Sequence, residues 1–200
     1  MEPRAARAIS AMGRAAKLQE TDMLRGFILG VIVTVIVAVG GVWLALKSGA
    51  VAANADVTPG GLELWAAHTS LGATLKREAP TGPNPVAATD ASLSEGVKLY
   101  AAHCAICHGG SAGEASASPI AKGLYPRPPQ LATDGVEDDP EGMSFWKIKH
   151  GIRLTGMPSW SKALNDQQIW TLALFLKHMD KLPPGPQAAW TQVRNTPTQP

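Results

Sequence analysis

The chain has 200 residues, 45% hydrophobic and 17% charged, with a formal net charge of +2. That length suits one domain, or one domain with appendages. The charge excludes a broad polyanion-binding surface once it is mapped. Residues 1–25 carry five basic and three acidic side chains, whereas residues 47–200 carry thirteen of each. The larger part is neutral by count, so no nucleic-acid partner is expected.

The first element is the uncharged run Gly26 to Leu46, GFILGVIVTVIVAVGGVWLAL. Its 21 residues are enough to cross a hydrocarbon core of about 30 Å as a helix. Arg4, Arg7, Arg14, Lys17 and Arg25 precede it, and only Lys47 follows before Lys76. Basic flanks stay in the cytoplasm, so this pattern places the C-terminal bulk on the exported side. Ala53-Asn54-Ala55 would suit a cleavage site. The apolar run is longer than a signal peptide's usual 7–15 residues, which favours a retained single-pass anchor.

Residues 47–91 read as a tether, with Pro59-Gly60-Gly61 leading into a helical pattern over 62–78. Leu64, Trp65, His68, Leu71 and Leu75 fall roughly on one side of it. Pro80, Pro83 and Pro85 enforce an extended connection. Ser92-Leu93-Ser94-Glu95 fits a capping box, so the next helix is expected to start there. Its apolar face, Leu93, Gly96, Val97 and Tyr100, runs into Cys104, and Gly96 is expected to permit a close helix crossing.

Residues 109–142 are rich in loop formers, and Met143 to His150 predicts a short helix stopped by Gly151. Asn165-Asp166-Gln167-Gln168 opens a last helix, with Ile169, Leu172, Ala173 and Leu176 on its inner face. The tail 183–200 holds five prolines and is expected to be disordered. No strand pattern is present, so the expected fold class is all-α.

Cys104 and Cys107 are the chain's two cysteines, and His108 follows directly. A disulfide across two residues closes too small a loop to staple a domain. A thioredoxin-like pair wants a βαβ setting, which a helical chain lacks, and zinc wants a second pair of close ligands. What remains for C-x-x-C-H is covalent attachment of one haem c. Thiols three positions apart reach two vinyl groups on one porphyrin edge, and the imidazole of the next residue falls under the iron. A haem also supplies apolar body to a domain too small to bury much core alone.

The sixth position of such an iron has several candidates: Met143, Met157, Met179, His68, His103, His150 and His178. His103 is tethered beside the attachment site. Met179 and His178 sit on the final helix. Met157, in Gly156-Met157-Pro158, lies on a loop between two helices, 49 residues after His108. That loop favours Met157, with His150 as runner-up.

From Ser92 to Leu182 the chain resembles the monohaem class I cytochromes c. The resemblance rests on GVKLYAAHCAICHG, PRPPQL, GIRLTGMPSW and NDQQIWTLALFL. It looks nearest to the bacterial cytochrome domains of terminal-oxidase subunits and membrane dehydrogenases. Residues 1–91 fall outside it, and the loop 111–125 is longer than in compact members. The resemblance implies an all-α fold around one covalent haem, with the first and last helices crossing near Gly96 and Tyr100. It points to the same iron ligands, His108 and Met157. It implies that the Pro129 carbonyl accepts the Nδ1 proton of His108 and that Leu131 packs on the haem. Arg127 is expected beside a propionate, and Trp146 or Trp160 as an indole donor there. His/Met ligation fills the iron and raises its potential, which suits electron transfer rather than reaction with a substrate.

The expected function is therefore that of a membrane-anchored electron-transfer protein rather than an enzyme. It would sit in a bacterial inner membrane, N-terminus cytoplasmic and haem domain periplasmic. Its partners would be protein redox partners such as a quinol-oxidising complex, a dehydrogenase or a terminal oxidase, with no small-molecule substrate. The alternatives are a haem-based peroxidase-like enzyme and a gas or redox sensor with a labile sixth ligand.

Overall fold

The computed structural model describes residues 3–113 and 118–193, with side chains at Gln19 and from Thr21 onward. The side chains of Arg4, Arg7, Arg14 and Lys17, and tail residues 194–200, lie outside the described residues. The described residues form helices and no strand, in two units, Met1–Asn54 and Ala55–Pro200.

The first unit is one helix, α1 (Pro3–Lys47). Its apolar stretch, Thr21–Lys47, has 27 residues, none of them buried. At 1.5 Å per residue that is about 40 Å, longer than the hydrocarbon core. The helix continues through the basic N-terminal segment, well before Gly26.

The second unit begins with α2 (Gly61–Glu78), of which only Leu75 is fully buried. A proline-rich connection follows, pinned by Asn84. Its Nδ2 donates to Glu141 Oε1 and to the Trp170 carbonyl, each at 3.0 Å, and its Oδ1 accepts from the Val86 N–H at 2.9 Å.

Helix α3 (Asp90–His103) starts earlier than the sequence suggests. The cap is Thr89, whose hydroxyl accepts from the Ser92 N–H, while Ser92 Oγ accepts from the Thr89 N–H. Ser92 is thus the third residue of the first turn, not the cap. One short turn, α4 (Ala105–His108), carries the second cysteine and the histidine. Two more short helices, α5 (Pro119–Gly123) and α6 (Leu131–Asp134), lie in the loop-rich stretch. Helix α7 (Glu141–His150) begins two residues before the expected Met143. Helix α8 (Asp166–His178) opens on the expected Asn165–Gln168 capping box.

The core lies where α8 packs between α3 and α7. Tyr100, Ile169, Leu172, Ala173 and Phe175 are fully buried there. Gly96 is what lets α3 and α8 touch: a Cβ at this position would stand 2.5 Å from Phe175 Cβ and 3.0 Å from the Thr171 carbonyl oxygen.

The tail departs from expectation. Residues 184–190 form a helix, α9 (Pro184–Trp190), packed against α3. Pro184 occupies the first turn, where its missing N–H costs nothing, and Pro186 and Trp190 are buried. The Trp190 ring meets Tyr100 edge-on at 5.3 Å and Phe175 at 5.2 Å. The Val193 carbonyl accepts from the Ser111 N–H at 3.4 Å, tying this segment to the chain just past His108. The folded unit therefore extends beyond Leu182 to at least Val193.

Candidate functional site

One cavity in the second unit gathers the residues that sequence reasoning singled out. Cys104, Cys107, His108, Arg127, Pro129, Leu131, Met157 and Trp160 all line it. Its empty space is about 1220 Å³ with the open mouth included, and its wall is largely apolar, with Leu71, Leu124, Ile148, Ile152, Leu172 and Leu176 contributing.

The cysteine side is built by helix geometry. Cys104 ends α3, its N–H bonding back to the Tyr100 carbonyl at 2.8 Å. The Cys107 and His108 N–H groups then both bond to the Cys104 carbonyl, at 3.0 and 2.9 Å. Tyr100 braces this turn: its buried hydroxyl donates to the Gly109 carbonyl at 2.9 Å. Both thiols are unpaired. Burial pushes the Cys104 thiol up to about 12, with Cys107 beside it adding to the rise, and burial also raises Cys107. Neither thiol is poised as a thiolate, which argues against nucleophilic or thiol-exchange chemistry.

His108 Nδ1 lies 2.9 Å from the Pro129 carbonyl oxygen. A carbonyl only accepts, so Nδ1 carries the proton and Nε2 keeps its lone pair. Burial lowers the His108 pKa, and the Pro129 bond offsets part of that. A neutral imidazole with Nε2 free is the form that binds a metal. Pro128 and Pro129 stiffen the segment that presents this acceptor, and Leu131 opens α6 directly after it.

Met157 reaches the same cavity from the loop after α7. Gly151 ends that helix at φ +68°, and a Cβ there would stand 2.6–2.7 Å from backbone atoms of Met157, Pro158 and Ser159. Only glycine allows so close a return. The Ile152 N–H donates to the Met157 carbonyl at 3.2 Å, and Thr155 Oγ1 accepts from the Met157 N–H at 3.1 Å.

All the rival ligands but His103 are placed elsewhere. Met179 is buried in the core. His150 stands against Trp146, with ring centroids 4.9 Å apart, and His68 is exposed on α2. Met143 and His178 do not line the cavity, whereas His103 does, its ring 5.1 Å from that of Trp160. Trp146 is turned away from the cavity toward Glu78, so of the two tryptophans only Trp160 borders the site. Arg127 lines the cavity but is exposed, with no ion pair among the described residues. Sequence reasoning missed Leu71, Ser144, Lys147 and Ile148 as cavity residues. Helical spacing was the available signal, since Ser144, Lys147 and Ile148 share one face of α7.

The acidic run Glu137-Asp138-Asp139-Glu141 and the basic group Lys147, Lys149 and Arg153 after it, a candidate docking patch, give up two of their lysines and one carboxylate to pairs within the domain. Lys147 pairs with Asp139 at 2.7 Å and Lys149 with Asp166 at 2.8 Å.

These residues fit a covalently held haem. Two thiols one turn apart, an imidazole with its distal nitrogen free, a thioether and an apolar wall border one space. Residues 91–176 match the family model described as Cytochrome C oxidase, cbb3-type, subunit III. Neither the curated proteins nor the solved structures give a match. From residue 91 to residue 176 this all-helical chain is a cytochrome c domain of the cbb3-type oxidase subunit III family, preceded by one long apolar N-terminal helix.

Proposed function

We propose that the protein is a membrane-anchored, periplasmic electron carrier or oxidase-complex subunit, holding one haem c between His108 and Met157. The observation that carries this reading is the convergence of Cys104, Cys107, His108 and Met157 on one apolar cavity. Haem supplies a one-electron couple at its iron, tuned by its axial ligands and by burial. His108 would offer Nε2, its ring orientation held by the Pro129 carbonyl. Met157 would offer its thioether sulfur from a loop whose backbone is tied on both sides. The apolar wall would keep water away and favour the less charged, reduced state.

The anchor reading rests on the 27-residue apolar helix and on the basic residues before it, which favour a cytoplasmic N-terminus. A tether on the exported side raises the effective concentration of the domain near membrane partners. Those partners would be a quinol-oxidising complex, a dehydrogenase or a terminal oxidase.

Absorption spectroscopy of the protein in mild detergent tests the ligand set. The oxidised protein is expected to show the weak far-red band of Met–iron ligation, and the reduced protein to resist carbon monoxide. Met157→Ala is expected to lose the band and bind carbon monoxide at once. A wild-type protein that already binds carbon monoxide would turn the reading toward a sensor or peroxidase-like enzyme.

A further inference from the structure

We propose that Ser144 and Lys147, one turn apart on α7, form the carboxylate-binding corner of the cavity and take a haem propionate there, in place of Arg127. The inference rests on the haem reading of Cys104, Cys107 and His108.

Ser144 and Lys147 both line the cavity. Ser144 is only 4% exposed, and no fully buried side-chain oxygen or nitrogen among the described residues is left without a partner, so its hydroxyl, which bonds to no other described group, keeps its accessible surface on the cavity. Filling the cavity would take that hydroxyl out of water, so a polar group of the ligand belongs beside it. The cavity is the space onto which Ser144 opens. Lys147 is partly buried, its side chain 28% exposed, and it gives one of its three N–H donors to Asp139 at 2.7 Å.

That pair is itself held. Lys177 Nζ donates to the backbone carbonyls of Glu137 and Asp139, at 2.6 and 3.3 Å, fixing the loop that carries the Asp139 carboxylate. Asp139 in turn holds the Lys147 ammonium at the cavity wall. The result is a held lysine one helical turn from a serine hydroxyl on a largely apolar cavity wall. This is the donor set for a carboxylate group on an apolar ligand. Arg127 lacks these features, since it is exposed and no described residue pairs with it.

The test uses the full-length holoprotein in detergent, with covalent haem first verified in every variant. Absence of covalent haem from the wild type would defeat the haem reading itself and is read separately. Resonance Raman spectra report the propionate bending band, and equilibrium titration reports the potential. Lys147→Met and Ser144→Ala are each expected to move the band, with the far-red Met–iron band unchanged. Lys147→Met is also expected to shift the reduced-to-oxidised ratio at a fixed potential about threefold or more toward oxidised, because a nearby cation favours the reduced iron. Lys147→Arg should restore much of both. If Lys147→Met fails to accumulate holoprotein, Ser144→Ala and Lys147→Arg still decide the question. A band unmoved by Lys147→Met and Ser144→Ala, or moved only by Arg127→Gln, overturns the proposal, even if the potential changes.

Discussion

Replacing Gly96 by alanine adds one methyl group where two helices meet at backbone distance. The new Cβ would stand 2.5 Å from Phe175 Cβ and 3.0 Å from the Thr171 carbonyl oxygen. Carbon atoms in contact prefer about 3.5–4.0 Å. Neither obstacle can rotate away, because Phe175 Cβ is fixed to the α8 backbone and the Thr171 oxygen is part of it. The helices must part by roughly an ångström, through a core in which Tyr100 and Phe175 are fully buried. Overpacking of this kind costs about 1–3 kcal/mol, and the backbone contact puts Gly96→Ala at the upper end. Alanine returns about 1 kcal/mol through helix propensity. The net expectation is a loss of about 1–2 kcal/mol, or a melting temperature lower by roughly 4–15 °C for a domain of about a hundred residues.

Gly72→Ala on α2 is the control. It makes the same chemical change in a helix, at a site with nothing within 4 Å of the added carbon. It should stabilise its helix by up to about 1 kcal/mol. Thermal unfolding followed by circular dichroism, run on both holoproteins, separates propensity from sterics. A Gly96→Ala protein that melts at or above the wild-type temperature would refute the backbone-contact argument.

Two further changes probe the parts around the cavity. Trp190→Ala should cost about 3–5 kcal/mol, since it removes a buried indole packed against Tyr100 and Phe175. Urea unfolding checks this, and truncation after Leu182 should be at least as damaging; an unchanged midpoint would return the tail to the status of an appendage. Gly151→Ala should displace the Met157 loop, because its Cβ would strike three successive backbone units at a φ that alanine resists. The far-red band should weaken and carbon monoxide binding should appear, as in Met157→Ala; retention of both wild-type properties would sink the argument.

Much of the site was legible because covalent order places it. Cys104, Cys107 and His108 are adjacent in sequence, and Met157 stands out in Gly156-Met157-Pro158, just beyond Gly151. The start of α3 was less legible because Ser92-x-x-Glu95 satisfies the capping-box rule, whereas the cap in use, Thr89-x-x-Ser92, puts a serine where the rule expects Glu or Gln. Choosing between them depends on the path of the incoming chain, which Asn84 fixes through tertiary bonds. The tail misled for a related reason. Proline content alone points to disorder, although Pro184 suits a first helical turn and Trp190 needs burial. The polar corner on α7 was invisible because Lys147 looks like any surface lysine until Asp139 and Lys177 are seen holding it.

The two sides of the cavity are set by different devices. His108 is placed by chain connectivity, one bond from Cys107, and its ring is turned by the Pro129 carbonyl. Met157 is placed by the end of α7. A helix leaves its last carbonyls without partners, and here the returning loop supplies donors. The Trp160 N–H bonds to the Ile148 carbonyl at 3.2 Å, while the Ser161 N–H and Ser159 Oγ bond to the Lys149 carbonyl at 3.3 and 2.7 Å. The helix terminus therefore acts as the template on which the methionine loop is laid. With the loop in place its orphan carbonyls gain protein donors, so loop order and helix stability support each other. A lesion at the end of α7 should loosen the thioether side while leaving the imidazole side intact, and a lesion near Pro129 should do the reverse.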